Sequence, residues 1–134
     1  MPLKLEIVTP ESKVYSENVD MVTLPGVEGE MGIYPNHVPL MTQVVAGEIA
    51  VRQGGQSHLL AVGEGFAEIT GERVAILTDM AIKADDIDET KAEEARKRAE
   101  ARLQEKLSDE ETASVTAALA HSLAQLKVKR RHRG

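Results

Sequence analysis

Residues 49–62 read Ile49-Ala50-Val51-Arg52-Gln53-Gly54-Gly55-Gln56-Ser57-His58-Leu59-Leu60-Ala61-Val62. Two apolar runs flank a Gly-Gly pair, and paired glycines supply the positive φ that a two-residue hairpin turn needs. The stretch therefore predicts two antiparallel strands. Outward from it the same grammar recurs. Phe66–Ile69 and Val74–Leu77 flank a tight turn, Thr70-Gly71-Glu72-Arg73. Toward the N-terminus, Leu3, Leu5 and Ile7 alternate with Lys4 and Glu6, the pattern of a half-buried strand. Thr9-Pro10-Glu11-Ser12 reads as a turn, and Val19–Leu24 as an extended segment closed by Pro25-Gly26. Six or more short strands at these intervals predict an antiparallel sandwich or flattened barrel over residues 1–84.

Between these strands lies a denser segment, residues 29–47. Its loop Tyr34-Pro35-Asn36-His37-Val38-Pro39 has two prolines within five residues. Each fixes φ at about −65° and removes a backbone donor.

After Ala84 the grammar changes: Gly and Pro vanish until Gly134. Asp86-Ile87-Asp88-Glu89 reads as a capping box with Asp86 as cap. Acids crowd the first turns and bases follow, which suits the helix dipole. Ala92, Ala95, Ala99 and Leu103 form a stripe spaced 3, 4 and 4. Ser108-Asp109-Glu110-Glu111 is a second capping box, opening a helix with Val115, Leu119, Leu123 and Leu126 spaced 4, 4 and 3. Residues 85–134 thus predict a two-helix antiparallel hairpin. An Ala-lined seam removes little apolar surface from water, at about 25 cal/mol per Å². Two readings stay open: a hairpin that detaches as a unit, and an appendage that never moves.

Composition bounds the function. With 134 residues the chain makes one domain, or one domain plus an appendage. Aromatics are Tyr15, Tyr34 and Phe66 alone, so the core must be aliphatic. The absence of cysteine excludes disulfides and thiolate metal sites and fits a reducing compartment. No signal peptide is expected, and no apolar run approaches the roughly 20 residues of a membrane helix. The chain is expected to be soluble, though able to dock on something embedded in a membrane.

Net charge is −6, unevenly placed. Residues 127–133 hold five of the 16 Lys and Arg and no acid, leaving 11 basic against 22 acidic residues elsewhere. This basic tail has three readings: it neutralises the carbonyl end of the last helix, binds nucleic acid, or docks on an acidic protein surface. Few aromatics and an acidic body argue against nucleic acid.

A search for catalytic or ligand motifs nominates none. There is no Gly-Lys dipeptide, hence no Walker A loop. Gly63-Glu64-Gly65-Phe66-Ala67-Glu68 ends in Glu and reads as strand punctuation rather than a dinucleotide fingerprint. His37, His58, His121 and His132 share no ligand spacing. Asp85, Asp86 and Asp88 are better explained by helix capping than by a cation. No nucleophile elbow is present.

Several segments, in order, carry a resemblance. Gly29-Glu30-Met31-Gly32-Ile33-Tyr34-Pro35-Asn36-His37-Val38-Pro39-Leu40 is similar to the Gly-x-x-Gly-Ile-x-Pro-x-His-x-Pro-Leu segment of the epsilon subunits of F-type ATP synthases (delta in mitochondrial naming). The opening Leu-x-Ile-Val-Thr-Pro-Glu, the segment Gly65–Ala81, Ile87-Asp88 with Ala92, and Leu123–Val128 resemble further parts of that family. The resemblance covers nearly the whole chain.

It implies a ten-stranded antiparallel β-sandwich followed by the helical hairpin. It implies a non-catalytic rotor subunit. Its partners would be the gamma subunit of the central stalk and the proteolipid ring. With the hairpin extended, they would include the catalytic and non-catalytic head subunits. Glu30 and His37 match rotor-interface positions. Lys127, Lys129, Arg130, Arg131 and Arg133 would meet acidic loops of the head and block ATP hydrolysis.

No cofactor is implied, except ATP as a regulatory ligand. The family's nucleotide motif, Ile/Leu-Asp-x-x-Arg-Ala, falls on Ile87, Asp88, Lys91 and Ala92, with Arg98 matching a further arginine. Lys91 departs from the motif, and a point charge does not replace a planar fork. His121 and Gln125 stand near places where nucleotide-binding members carry arginines. The implied location is peripheral, on the cytoplasmic face of a bacterial cell membrane or the stromal face of a thylakoid. The alternatives are a free-standing β-sandwich binding a protein or carbohydrate, with a dimerising hairpin, and, more weakly, an enzyme.

Overall fold

The computed structural model describes residues 3–133. Ten strands precede two helices: β1 (Leu3–Val8), β2 (Lys13–Val19), β3 (Met21–Gly26), β4 (Gly29–Ile33), β5 (Leu40–Val44), β6 (Gly47–Gln53), β7 (Gln56–Val62), β8 (Gly65–Ile69), β9 (Arg73–Thr78), β10 (Ala81–Lys83), α1 (Glu89–Arg102) and α2 (Asp109–Arg133). A 3-10 turn, Ala84–Asp86, leads from the strands to the helices.

The strands pair in the order β10-β7-β6-β3-β5-β8-β9-β1-β2, with β4 against β3. Strands β3 and β5 share one register pair, Gly26 opposite Val44. There the ladder folds over, bringing the two halves face to face on one aliphatic core. Leu3, Leu5, Ile7, Leu24, Ile33 and Ile49 are fully buried in it. Each buried side chain of this kind contributes about 1.5–3 kcal/mol relative to exposure. The alternation of Leu3, Leu5 and Ile7 thus does what the sequence predicts.

The Gly54-Gly55 turn also forms as expected, with φ of 59° and 83°. The fold is the ten-stranded sandwich with a helical hairpin, with one departure: β1 and β9 run parallel, Leu5 opposite Val74.

Some local expectations are corrected. Pro25-Gly26 does not close a strand, since β3 runs through both residues and the chain reverses at Val27-Glu28. Pro25 lacks a donor but its carbonyl accepts from the Val45 amide at 2.9 Å. A Cβ on Gly26 would lie 2.9 Å from the Gly29 carbonyl oxygen, so glycine permits strand contact there. The extended segment from Val19 is broken at Asp20, whose amide donates to Arg52 O at 2.8 Å. Strands β2, β4, β5 and β10 carry weak alternation and are defined by their pairing.

Helix α1 is capped by Asp88, whose side chain accepts from the Lys91 amide at 3.1 Å, and not by Asp86. Asp86 belongs to the 3-10 turn, because Ile87 is extended and buried. The second capping box forms as expected. The Glu111 amide donates to Ser108 Oγ at 3.1 Å and the Ser108 amide to Glu111 Oε1 at 3.2 Å. Ala92 and Ala99 are buried in the α1–α2 seam.

The α2 stripe is corrected: Leu123 is 48% exposed, while Ser122, Ala124, Leu126 and Val128 are buried. Helix α2 serves two neighbours at once, α1 and the outer face of β6 and β7, so its buried arc is wider than one stripe. Strand β7 is covered on both sides. Leu60 and Val62 enter the sandwich core, whereas Ala61 meets Ala124 and Val128 in a second, smaller cluster with Ala84 and Ile87. No described helix is long and apolar enough to cross a membrane.

Candidate functional site

Three surfaces stand out. The first is the open face of the second half-sheet. In β8, Ala67 and Ile69 fill the core, so Phe66 and Glu68 point outward. The ladder sets Gln43 opposite Phe66, Phe66 opposite Leu77, and Leu77 opposite Val8. Phe66 and Leu77 are 58% and 59% exposed, and Met41, one row along, 65%. Val8, Pro10 and Leu77 border a shallow hollow of about 460 Å³ beside this row. The result is an apolar strip on a face that carries no helix. Sequence reasoning did not single out these residues. The signal was there in parity, since Phe66 shares its side with Glu68.

The second surface holds the loop between β4 and β5. Asn36 adopts φ of 69° and its amide donates to Gly71 O at 2.7 Å, tying the loop to the β8–β9 turn. Tyr34 and Val38 are 60% and 74% exposed. His37 Nδ1 lies 2.7 Å from Val38 O. Glu30 is exposed near the other end of β4. Of the two sequence-nominated residues, Glu30 thus lies in β4 and His37 in the loop beyond its far end.

The third surface is the end of α2, where all five nominated cations lie in the last two turns. Arg130 donates to Glu89 Oε2 and Glu93 Oε2, each at 3.1 Å, and Arg133 pairs with Glu89. Arg131 sits 3.4 Å from Glu48 Oε1, and Lys129 Nζ donates to Ala84 O at 3.1 Å. Lys127 shares a hollow with Arg131, Glu30 and Glu48. His132 Nε2 lies 2.7 Å from Asp85 Oδ1. The arginines Arg96 and then Arg130 hold the Glu93 carboxyl below the usual carboxylate range.

The nucleotide-motif residues have roles in the fold. Ile87 and Ala92 are buried in the hairpin seams, and Asp88 caps α1. Lys91 and Arg98 are exposed, seven residues apart and so on one face of α1. Among the described residues no group of three or more His, Asp or Glu could hold a metal ion.

Comparison with known proteins gives concordant matches. Residues 2–84 match the family model described as ATP synthase, Delta/Epsilon chain, beta-sandwich domain. Residues 85–130 match the one described as ATP synthase, Delta/Epsilon chain, long alpha-helix domain. The chain is 46% identical over 132 residues to the ATP synthase epsilon chain of Dehalococcoides mccartyi, covering 98% of this chain and 94% of that one. It is 45% identical over 133 residues to that of Herpetosiphon aurantiacus, covering 99% and 98%. In structure it is similar to a chain of the Euglena gracilis mitochondrial ATP synthase OSCP/F1/c-ring assembly. The TM-score is 0.77 at 25% identity, covering 94% of this chain and 79% of that one. A chain of the Tetrahymena thermophila mitochondrial ATP synthase central stalk and c-ring shares the fold, with a TM-score of 0.66 at 11% identity over 96% and 97%.

Proposed function

Because this chain belongs to the ATP synthase delta/epsilon family, we propose that it is a central-stalk subunit of an F-type ATP synthase that carries torque rather than chemistry. The sandwich, residues 1–84, joins a gamma-type stalk subunit to the proteolipid ring, so that proton-driven rotation of the ring reaches the catalytic head. ATP formation takes place on other subunits, and this chain has no active site of its own. It sits peripherally, on the cytoplasmic face of a bacterial membrane, as the bacterial sources of its relatives support.

The observation that carries this reading is the open row of Phe66, Leu77 and Met41 on a body with a dense aliphatic interior. An apolar strip left on a sheet face marks a protein contact, and a close-packed core transmits force without yielding. The row is assigned to the stalk, and the edge bearing Glu30 and His37 to the ring. The test is co-purification with the stalk subunit. Phe66→Asp with Leu77→Asp abolishes it while the isolated chain keeps its circular dichroism. Unchanged binding overturns the assignment. The free-standing carbohydrate- or protein-binding module gains nothing from the family match.

The hairpin, residues 85–134, is assigned a regulatory role. Released from the sandwich, it reaches the head, where Lys127, Lys129, Arg130, Arg131 and Arg133 meet acidic surfaces and slow hydrolysis. The small cluster of Ala61, Ala84, Ile87, Ala124 and Val128 that holds it supports easy release. Removing residues 85–134 raises hydrolysis by the reconstituted complex at low proton gradient; unchanged hydrolysis overturns the role. A regulatory ATP would meet Lys91 and Arg98, and calorimetric titration with millimolar ATP tests it.

A further inference from the structure

In the docked hairpin the tail's three arginines are already engaged by the chain's own acids, two through α1 and one through β6. Glu89 and Glu93 stand one turn apart on α1, and Arg130 bridges both carboxylates at 3.1 Å. Arg133 adds a contact to Glu89. On the sandwich side Arg131 faces Glu48, whose side chain is only 9% exposed and whose Oε2 is buried without a hydrogen-bond partner. A buried carboxylate with one distant counter-charge depends strongly on that charge. The apolar part of the docked seam is small and rich in alanine. Charge therefore weighs more here than in a Leu-lined interface.

We propose that Glu89, Glu93 and Glu48 form an internal competitor for the basic tail. Two of the three acids lie on α1, so capture of the tail by an outside acidic surface requires α2 to part from α1 as well as from the sandwich, in one exchange of counter-ions. The pair on α1 also describes the outside partner: a helical segment with carboxylates at i and i+4, matching the fork of Arg130. The inference rests on the regulatory reading of the hairpin and adds what keeps α2 folded against α1 and the sandwich. The same guanidinium cannot serve both carboxylate sets, so docking and capture exclude each other.

The test uses the full-length chain, which has no native cysteine, with dyes on Lys97→Cys and Ser114→Cys, one on each helix of the hairpin, alone and in the reconstituted complex. In the isolated chain, Glu89→Gln/Glu93→Gln raises the separated fraction roughly threefold to tenfold, in the range of a few partly exposed ion pairs. Arg130→Gln/Arg133→Gln raises it similarly. In the complex the two part: the acid-neutralised chain inhibits hydrolysis more strongly than wild type, and the arginine-neutralised chain less. Glu94→Gln, an exposed acid on the same turn with no ion pair among the described residues, leaves both measurements unchanged. Glu48→Gln acts in the same direction as the Glu89 and Glu93 changes. Should removal of residues 85–134 relieve inhibition while the acid variants behave as wild type, the competitor is refuted and the regulatory role survives. Should removal change nothing, both fall.

Discussion

Gly65 opens β8 where two strands come too close for a side chain. A Cβ there would lie 1.8 Å from the Leu77 carbonyl oxygen, and backbone cannot step aside. Gly65→Ala therefore costs at least about 2 kcal/mol of stability in urea unfolding, the range of an overpacked site. Glu6 tests charge at the same scale. Lys13 at 3.0 Å and Arg73 at 2.8 Å hold its carboxyl below the usual range, with the Lys13 bond first. A carboxylate lowered on folding stabilises above its unfolded value, near 4.3, and that contribution is lost as pH falls through the folded value. Urea midpoints between pH 6 and 3 should thus fall less steeply for Glu6→Gln than for wild type. The capping pair is the third residue-scale case: Ser108→Ala costs about 1 kcal/mol of helix stability. It also raises the Glu111 carboxyl only part of the way toward its ordinary range in a carboxyl NMR titration, because the residue-108 amide, the larger cause of its lowering, remains and only the hydroxyl is lost.

Elements differ in how firmly they are held. The sandwich is closed by long ladders over a core of Leu, Ile and Val, while the hairpin rests on it through a smaller cluster of three alanines, Val128 and Ile87 edged by Leu59, Met80 and Ile82, and through the Arg131–Glu48 pair to β6. Amides of α1 and α2 should then exchange with deuterium before those of β1, β8 and β9. Equal protection throughout would mean that the hairpin does not open on its own. Ala124→Leu is a sharper probe of the same seam. The added volume has no space against Ala61, so hairpin protection falls while sandwich protection holds.

For the whole molecule the division of labour follows from where apolar surface remains. One half-sheet is covered by α2, and the other keeps Phe66, Leu77 and Met41 open. The tail's arginines fold back on α1 and β6, so the docked chain presents an apolar face on one side and three paired arginines on another. Raising salt from about 50 mM to 500 mM shortens screening from beyond 10 Å to a few ångströms. It should open the hairpin of the isolated chain and leave the sandwich's unfolding midpoint nearly unchanged; loss of both together would contradict the split.

The sequence alone determined whatever depends on neighbours along the chain. Alternation of Leu3, Leu5 and Ile7 sets which side is core, Gly54-Gly55 sets a turn, and Ser108 with Glu111 sets a helix start. Each is a short-range rule of backbone geometry or periodicity. The tertiary structure decided what depends on which strands meet. It made β1 and β9 parallel, carried β3 through Pro25-Gly26, and moved the α1 cap to Asp88 because Ile87 needed burial. It turned Leu123 outward because α2 packs on two neighbours. It also left Phe66 and Leu77 uncovered and paired Arg130 with Glu89 and Glu93 across some forty residues of chain. Those outcomes rest on contacts distant in sequence, and a one-dimensional pattern carries no record of which distant surfaces share one interior.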